Sequence, residues 1–338
     1  MDKLGSAGHG PAGMIAKSLF RIDPLVRLLA VAILLATFLP VRGAGRDVAQ
    51  AISTGAIFLL FLLNGLRLSR EDVWRGMSNL RFLVPLAIWV FGAMTLAGLG
   101  AAWALEGWLP PIVALGFLFL GVLPSTVQSA TAYSSLAGGN VASSVVAAAL
   151  LNIMGVFLTA PLFSLLAGSG SAPVSADALL KVCMILLLPF SLGQLGQRWA
   201  RGWVLENRSI TGAMDRTAIA IAVYVAFSGA VEQGIWSQLS PLAWALLTFA
   251  VCVMLVIGFY GSWTLGGALK LNRADRISMM FAGAQKSIAM GAPLATVLFP
   301  PAKAGIILLP VLVYHLLQLV ISAPLASRLR RGDVQAFG

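Results

Sequence analysis

Ten apolar runs follow one another along this chain, at 25–41, 48–66, 82–104, 110–136, 140–167, 178–198, 214–234, 240–269, 275–298 and 303–327. A helix needs about 20 mostly apolar residues to span the hydrocarbon core of a bilayer, and the runs are of that order. Backbone amides in lipid must find their partners within the segment, so the runs predict helices rather than open sheet. Charged residues make up only 10% of the 338 residues and the mean hydropathy is +0.91. A soluble domain carries about 25% charge. A soluble enzyme and a single anchored domain are both excluded. The fold class is an all-α polytopic membrane protein with ten transmembrane helices, and the lipid bilayer is its first partner.

The net charge of +11 invites a nucleic-acid reading, which the positions of the charges remove. With both termini placed in the cytoplasm, eighteen Lys and Arg fall at cytoplasmic span ends, among them Arg67, Arg208, Arg216, Arg276 and Arg328. Only Arg42, Arg46, Lys181 and Lys303 fall on the other side. That asymmetry is the positive-inside signature of a cell-membrane protein, and it accounts for the charge without nucleic acid. Residues 1–24 and 328–338 read as cytoplasmic tails, and no signal peptide is seen. All twelve carboxylates lie in tails, loops or near span ends. Cys183 and Cys252 sit in apolar runs without metal or disulfide spacing.

The two halves of the chain echo one another. Thr159-Ala160-Pro161-Leu162 in the fifth run matches Ser322-Ala323-Pro324-Leu325 in the tenth, which sets Asn152 against His315. One span earlier, Gln128-Ser129-Ala130 can be set against Gln285-Lys286-Ser287. Repeats at 25–167 and 178–327 would hold five spans each. An odd number turns the second copy upside down, giving a five-plus-five inverted repeat. Chance similarity among apolar helices is the alternative.

Both the fourth and ninth runs carry interruptions. Pro124 removes a backbone donor, and Ser125, Thr126, Gln128, Ser129 and Thr131 follow it with side-chain oxygens. In the ninth run, Gly283, Gln285, Lys286 and Ser287 precede Gly291 and Pro293. Interrupted helices in matching positions of two halves point to a binding site near the membrane midplane. Lys286 is the one basic residue that topology leaves unassigned. Intramembrane charges are expensive and mark function. We expect its ammonium to take oxygen partners from Gln128, Ser129, Gln285 and Ser287 and to be able to cycle a proton. His315 and Asn152 are expected to face each other near the crossing, with Asn64 as a helix terminus or a contact.

These residues carry a resemblance. The stretch at 123–152, LPSTVQSATAYSSLAGGNVASSVVAAALLN, with FLLNGLRLS at 61–69 and GAQKSIAMGAPL at 283–294, resembles the bile acid:sodium symporter family, in particular its sodium/bile acid cotransporter 7-like branch. The resemblance covers about 20–330. It implies a panel of helices 1, 2, 6 and 7, and a core of helices 3–5 and 8–10 in which broken helices 4 and 9 cross. Members that use sodium carry a Glu four residues before a Gln-Asn pair in the ninth helix. Here Phe281 and Lys286 stand at the Glu and Asn positions. Ser144 matches a hydroxyl ligand of the family, and Ala148 replaces a second. Half of the sodium pattern is therefore lost, and Ser144 alone is the candidate sodium ligand.

The functional expectation is a secondary active transporter of a small organic solute, anionic by inference, coupled to sodium or protons. Its substrate or ion site would draw on Ser125, Thr126, Gln128, Ser129, Ser144, Asn152, Gln285, Lys286, Ser287 and His315. The branch's association with calcium homeostasis leaves a non-transporting regulator as the alternative. No catalytic constellation appears, so an enzyme is not expected. No cofactor beyond a sodium ion is implied, and the chain would be a monomer or a homodimer.

Overall fold

The computed structural model describes residues 23–67, 71, 79–167, 180, 181, 183–234 and 239–336. The N-terminal tail through residue 22, with Lys3, Lys17 and Arg21, lies outside the described residues, as do Arg70, Arg75 and Asp177.

The described residues are mostly helical, with no strand among them. In chain order the helices are α1 Pro24–Phe38, α2 Gly45–Arg67, α3 Leu80–Ala104, α4 Pro111–Val122, α5 Gln128–Leu136, α6 Val141–Leu166 and α7 Leu188–Glu206. They continue with α8 Arg208–Glu232, α9 Pro241–Ala268, α10 Arg273–Ala284, α11 Ile288–Leu298, α12 Pro301–Ile307 and α13 Leu309–Ala336. Six of them (α2, α3, α6, α8, α9 and the Leu309–Arg330 part of α13) are long and apolar enough to cross a bilayer, and α1 and α4 are shorter apolar helices. Many of their large apolar side chains face outward, Phe38, Leu165, Phe249 and Val320 among them. Such a surface suits lipid, not water.

Helix starts follow local chemistry. Asp23 accepts from the Leu25 amide at 2.7 Å ahead of Pro24, Asn140 accepts from Ser143 at 3.1 Å, and Ser240 accepts from Ala243 at 3.1 Å ahead of Pro241. Each side-chain oxygen satisfies an amide that has no partner in the first turn. The run expected at 140–167 is the helix Val141–Leu166, and that at 240–269 is Pro241–Ala268. Other boundaries differ, and α8 begins at Arg208, six residues ahead of the expected 214. α7 continues past 198 to Glu206, and α13 runs through the expected tail at 328–338 as far as Ala336. Helical bonding needs no apolar surroundings, and no proline follows Pro324 to stop it.

Helix α8 packs on α1, α2, α11 and α12, and α2 packs on α7. The crossing of α2 with α7 depends on Gly65 and Gly193: a Cβ on either would overlap the backbone of the facing helix, at Phe190 and Leu62 respectively. Small residues let membrane helices approach this closely. Gln194 and Gln197 then both donate to the Gly65 carbonyl, at 2.8 and 2.9 Å.

Candidate functional site

Two runs that read as single spans are each split in two. α4 stops at Val122, and Leu123 is extended with ψ 146°. Pro124 follows it, and helix resumes at Gln128. α10 stops at Ala284, Gln285 and Ser287 are extended with ψ 141° and 105°, and helix resumes at Ile288. The two breaks meet directly, the Ser287 amide donating to the Pro124 carbonyl at 2.9 Å.

Backbone freed from a helix at membrane depth must be satisfied by protein or water. Here the protein does much of that work. The Thr159 hydroxyl donates to the Val122 carbonyl at 3.1 Å, and Asn152 donates to the Ser125 carbonyl at 2.9 Å. Tyr314 donates to the Ala284 carbonyl at 2.5 Å. Gln318 serves Lys286 twice: its Oε1 accepts from the Lys286 amide at 2.8 Å, and its Nε2 donates to the Lys286 carbonyl at 3.1 Å. Gln285 Oε1 accepts from Thr126 at 2.9 Å and from Ser129, while its Nε2 donates to Ser322 at 3.1 Å.

Lys286 is fully buried. Its Nζ donates to three backbone carbonyls: Gly121 at 2.7 Å, Leu123 at 2.8 Å and Val90 at 3.0 Å. This corrects the expected partners Gln128, Ser129, Gln285 and Ser287. The reason lies in the break. A helix leaves its last four carbonyls without intrahelical partners, so the end of α4 presents Gly121 and its C-cap Leu123 to the ammonium. Val90 lies in the π-turn Trp89–Ala93 within α3; such bulges recur at functional sites.

A cavity of about 520 Å³ lies between the α1–α2–α7–α8 group and the broken helices. The structure gathers Thr126, Gln128, Ser129, Asn152, Ser287 and His315 on its wall. The N-termini of both α5 and α11 border it, through Gln128 and Ile288. Ser125, Ser144, Gln285 and Lys286 do not line it. The hydroxyls of Ser125 and Ser144 are buried without a hydrogen-bond partner among the described residues. Asn152 and His315 share the cavity, but each bonds elsewhere: Asn152 to the Ser125 and Ala148 carbonyls, His315 Nδ1 to Gln318. The expected pairing of Gln128 with Gln285 across the halves also shifts, because Gln128 opens a helix whereas Gln285 lies in a break.

The opposite wall holds residues that the sequence left as topology markers or loop acids. Arg67 of α2 bonds Asp215 of α8, and both line the cavity with Asp23, Asn64, Arg208 and Arg216. Asp215 is buried, whereas the sequence sets it near a span end. No group of three His, Cys, Asp or Glu that could hold a metal occurs among the described residues.

Two broken helices joined back to back beside a solute-sized cavity, within an apolar helical body, define a membrane carrier. Comparison with known proteins makes the assignment. The chain belongs to the SBF-like CPA transporter family (DUF4137), whose model matches residues 23–331. It is therefore a multi-pass membrane transporter of a small solute and not an enzyme. Among its relatives is "Putative symporter YfeH" of Escherichia coli strain K12, 38% identical over 321 residues, covering 94% of this chain and 96% of that protein. An uncharacterized protein of Pseudomonas aeruginosa is 39% identical over 320 residues, with 94% and 96% coverage. Mouse sodium/bile acid cotransporter 7 is 22% identical over 294 residues, covering 82% of this chain and 83% of its own.

Proposed function

We propose that this protein is a secondary carrier of a small organic anion in the cell membrane, working by alternating access. The carrying observation is that the N-termini of both half-helices, α5 and α11, border one cavity of about 520 Å³. That volume suits a drug-sized solute, and helix N-termini bear partial positive charge that favours an anion. Arg208 and Arg216 in the same wall add to that preference. The printed name of the mouse relative, a sodium/bile acid cotransporter, fits the same chemistry.

On this reading the chain crosses the membrane ten times, α4 with α5 making one crossing and α10 with α11 another. The crossings form a five-plus-five inverted repeat over 25–167 and 178–327, with both termini cytoplasmic. The panel is α1, α2, α7 and α8, and the remaining helices form the core. Thr126, Gln128, Ser129, Asn152, Ser287 and His315 contact the solute as the core moves against the panel. Gln285 ties the two breaks together behind them. Lys286 is a built-in cation: carbonyl oxygens of the kind that replace an ion's hydration shell hold its ammonium instead. Ser125 and Ser144 keep buried hydroxyls free for a coupling sodium ion. Membership of a transporter family favours carriage over the regulatory alternative.

The test is uptake of a labelled bile acid, and of shorter aliphatic carboxylates, into proteoliposomes under imposed sodium or pH gradients. Uptake driven by one gradient identifies the coupling ion. Uptake indifferent to both would sink active coupling.

A further inference from the structure

Gln318 was not among the residues that the sequence marks, yet it connects the second break to the cavity wall. It is fully buried on α13, one turn beyond His315. The Lys286 backbone N–H can only donate, so the Gln318 atom 2.8 Å from it must be the amide oxygen. The other amide atom is therefore the nitrogen. That nitrogen, with two hydrogens to give, lies 3.1 Å from the Lys286 carbonyl oxygen and 2.9 Å from His315 Nδ1. Neither end of the amide can be reversed without setting two donors or two acceptors face to face.

This orientation decides the state of the imidazole. A ring nitrogen that accepts a hydrogen bond carries no proton, so the single proton of the neutral ring sits on Nε2. His315 is 5% exposed and lines the cavity, and its Nε2 is buried with no partner among the described residues. A buried donor left unpaired is expensive, which favours an incoming group with an acceptor oxygen.

We propose that Gln318 is a positioning residue that holds His315 as the Nε2–H tautomer, so that the ring donates to an oxygen of the transported solute. The solute class this selects is one with a carboxylate, sulfonate or carbonyl oxygen at that point, not one presenting a second donor there. Because Gln318 grips both the amide and the carbonyl of Lys286, movement of the break would shift the ring it orients. The proposal rests on the cavity being the solute site.

The chain has two histidines, His9 and His315, which makes the tautomer measurable. The full-length protein, labelled with ¹⁵N-histidine and reconstituted in nanodiscs, is observed by NMR without solute, with His9→Ala supplying the assignment. Two-bond proton–nitrogen correlations distinguish the two neutral tautomers. We expect an unprotonated Nδ1 and a protonated Nε2 for His315. Gln318→Glu places an acceptor opposite Nδ1 and should move a proton onto it; Gln318→Met should leave a mixture of both tautomers. Loss of the wild-type pattern in whichever variant folds supports the role. A protonated Nδ1 in the wild type, or an unchanged pattern in the folded variants, overturns it. Since no solute is present, failure here rejects Gln318 alone. Failure of the cavity reading would appear as one-sided access to the cavity and leave the tautomer as found.

Discussion

Truncating Lys286 tests the built-in cation with a number attached. Lys286→Ala removes three short N–H···O bonds, to Gly121, Leu123 and Val90, and leaves three buried carbonyls around an emptied space. Each orphaned buried group costs about 1–3 kcal/mol. Against this, the burial penalty of the ammonium, several kcal/mol in real proteins, disappears. The Thr95 hydroxyl, 3.4 Å from the Gly121 carbonyl, softens the loss further. We expect a net destabilisation of about 2–4 kcal/mol, read from thermal unfolding of the detergent-solubilised protein. The informative part is rescue. A small monovalent cation bound in the vacated ring at about 100 times its Kd restores about 2.7 kcal/mol. Unfolding is therefore compared in ammonium, sodium and choline chloride at equal ionic strength. Ammonium or sodium should raise the variant's midpoint over choline, while leaving the wild type unmoved. A variant as stable as wild type, or one equally indifferent to all three salts, would refute the carbonyl ring as a cation site.

Three further outcomes follow from the packing and from the placement of charge. Gly193→Ala inserts a methyl into the backbone of Leu62 across the α2–α7 crossing and should lower stability by about 1–3 kcal/mol, whereas Gly202→Ala, which meets nothing within 4 Å, should not. Arg67→Leu strands the buried Asp215 carboxylate and should cost about 3 kcal/mol, with Arg67→Leu/Asp215→Leu recovering most of it; a double variant no better than the single one would show that the pair is not the source. A C-terminal reporter enzyme active only outside the cytoplasm should stay silent, and activity would invert the proposed topology.

Much of this architecture is legible in the chain because lipid imposes strict rules. The apolar runs at 140–167 and 240–269 give Val141–Leu166 and Pro241–Ala268 nearly to the residue, since burial in hydrocarbon leaves little choice of conformation. Pro124 announces the first break, and the cluster around Lys286 announces the second. The partners of Lys286 are not legible, because they are backbone carbonyls at Val90, Gly121 and Leu123, and any residue type supplies a carbonyl. Gln318 stayed hidden as one polar residue in an apolar helix, its importance set by a contact to Lys286 made only in three dimensions. Arg67 and Asp215 are far apart in sequence, the one a topology marker and the other an acid near a span end; only folding shows them paired. A basic residue at a span end can mark orientation and line a cavity at once, and the positive-inside pattern alone cannot separate the two roles.

In the proposed mechanism the cavity beside the two meeting breaks opens to each side of the membrane in turn. Gln128, exposed on the cavity wall, is replaced by Cys in a chain carrying Cys183→Ser and Cys252→Ser. Sealed vesicles of both orientations are then treated with an impermeant maleimide. Modification of the cysteine from either face, at rates that shift in opposite directions under an imposed sodium or pH gradient, is the expected result. Labelling from one face only, unchanged by any gradient, would contradict alternating access.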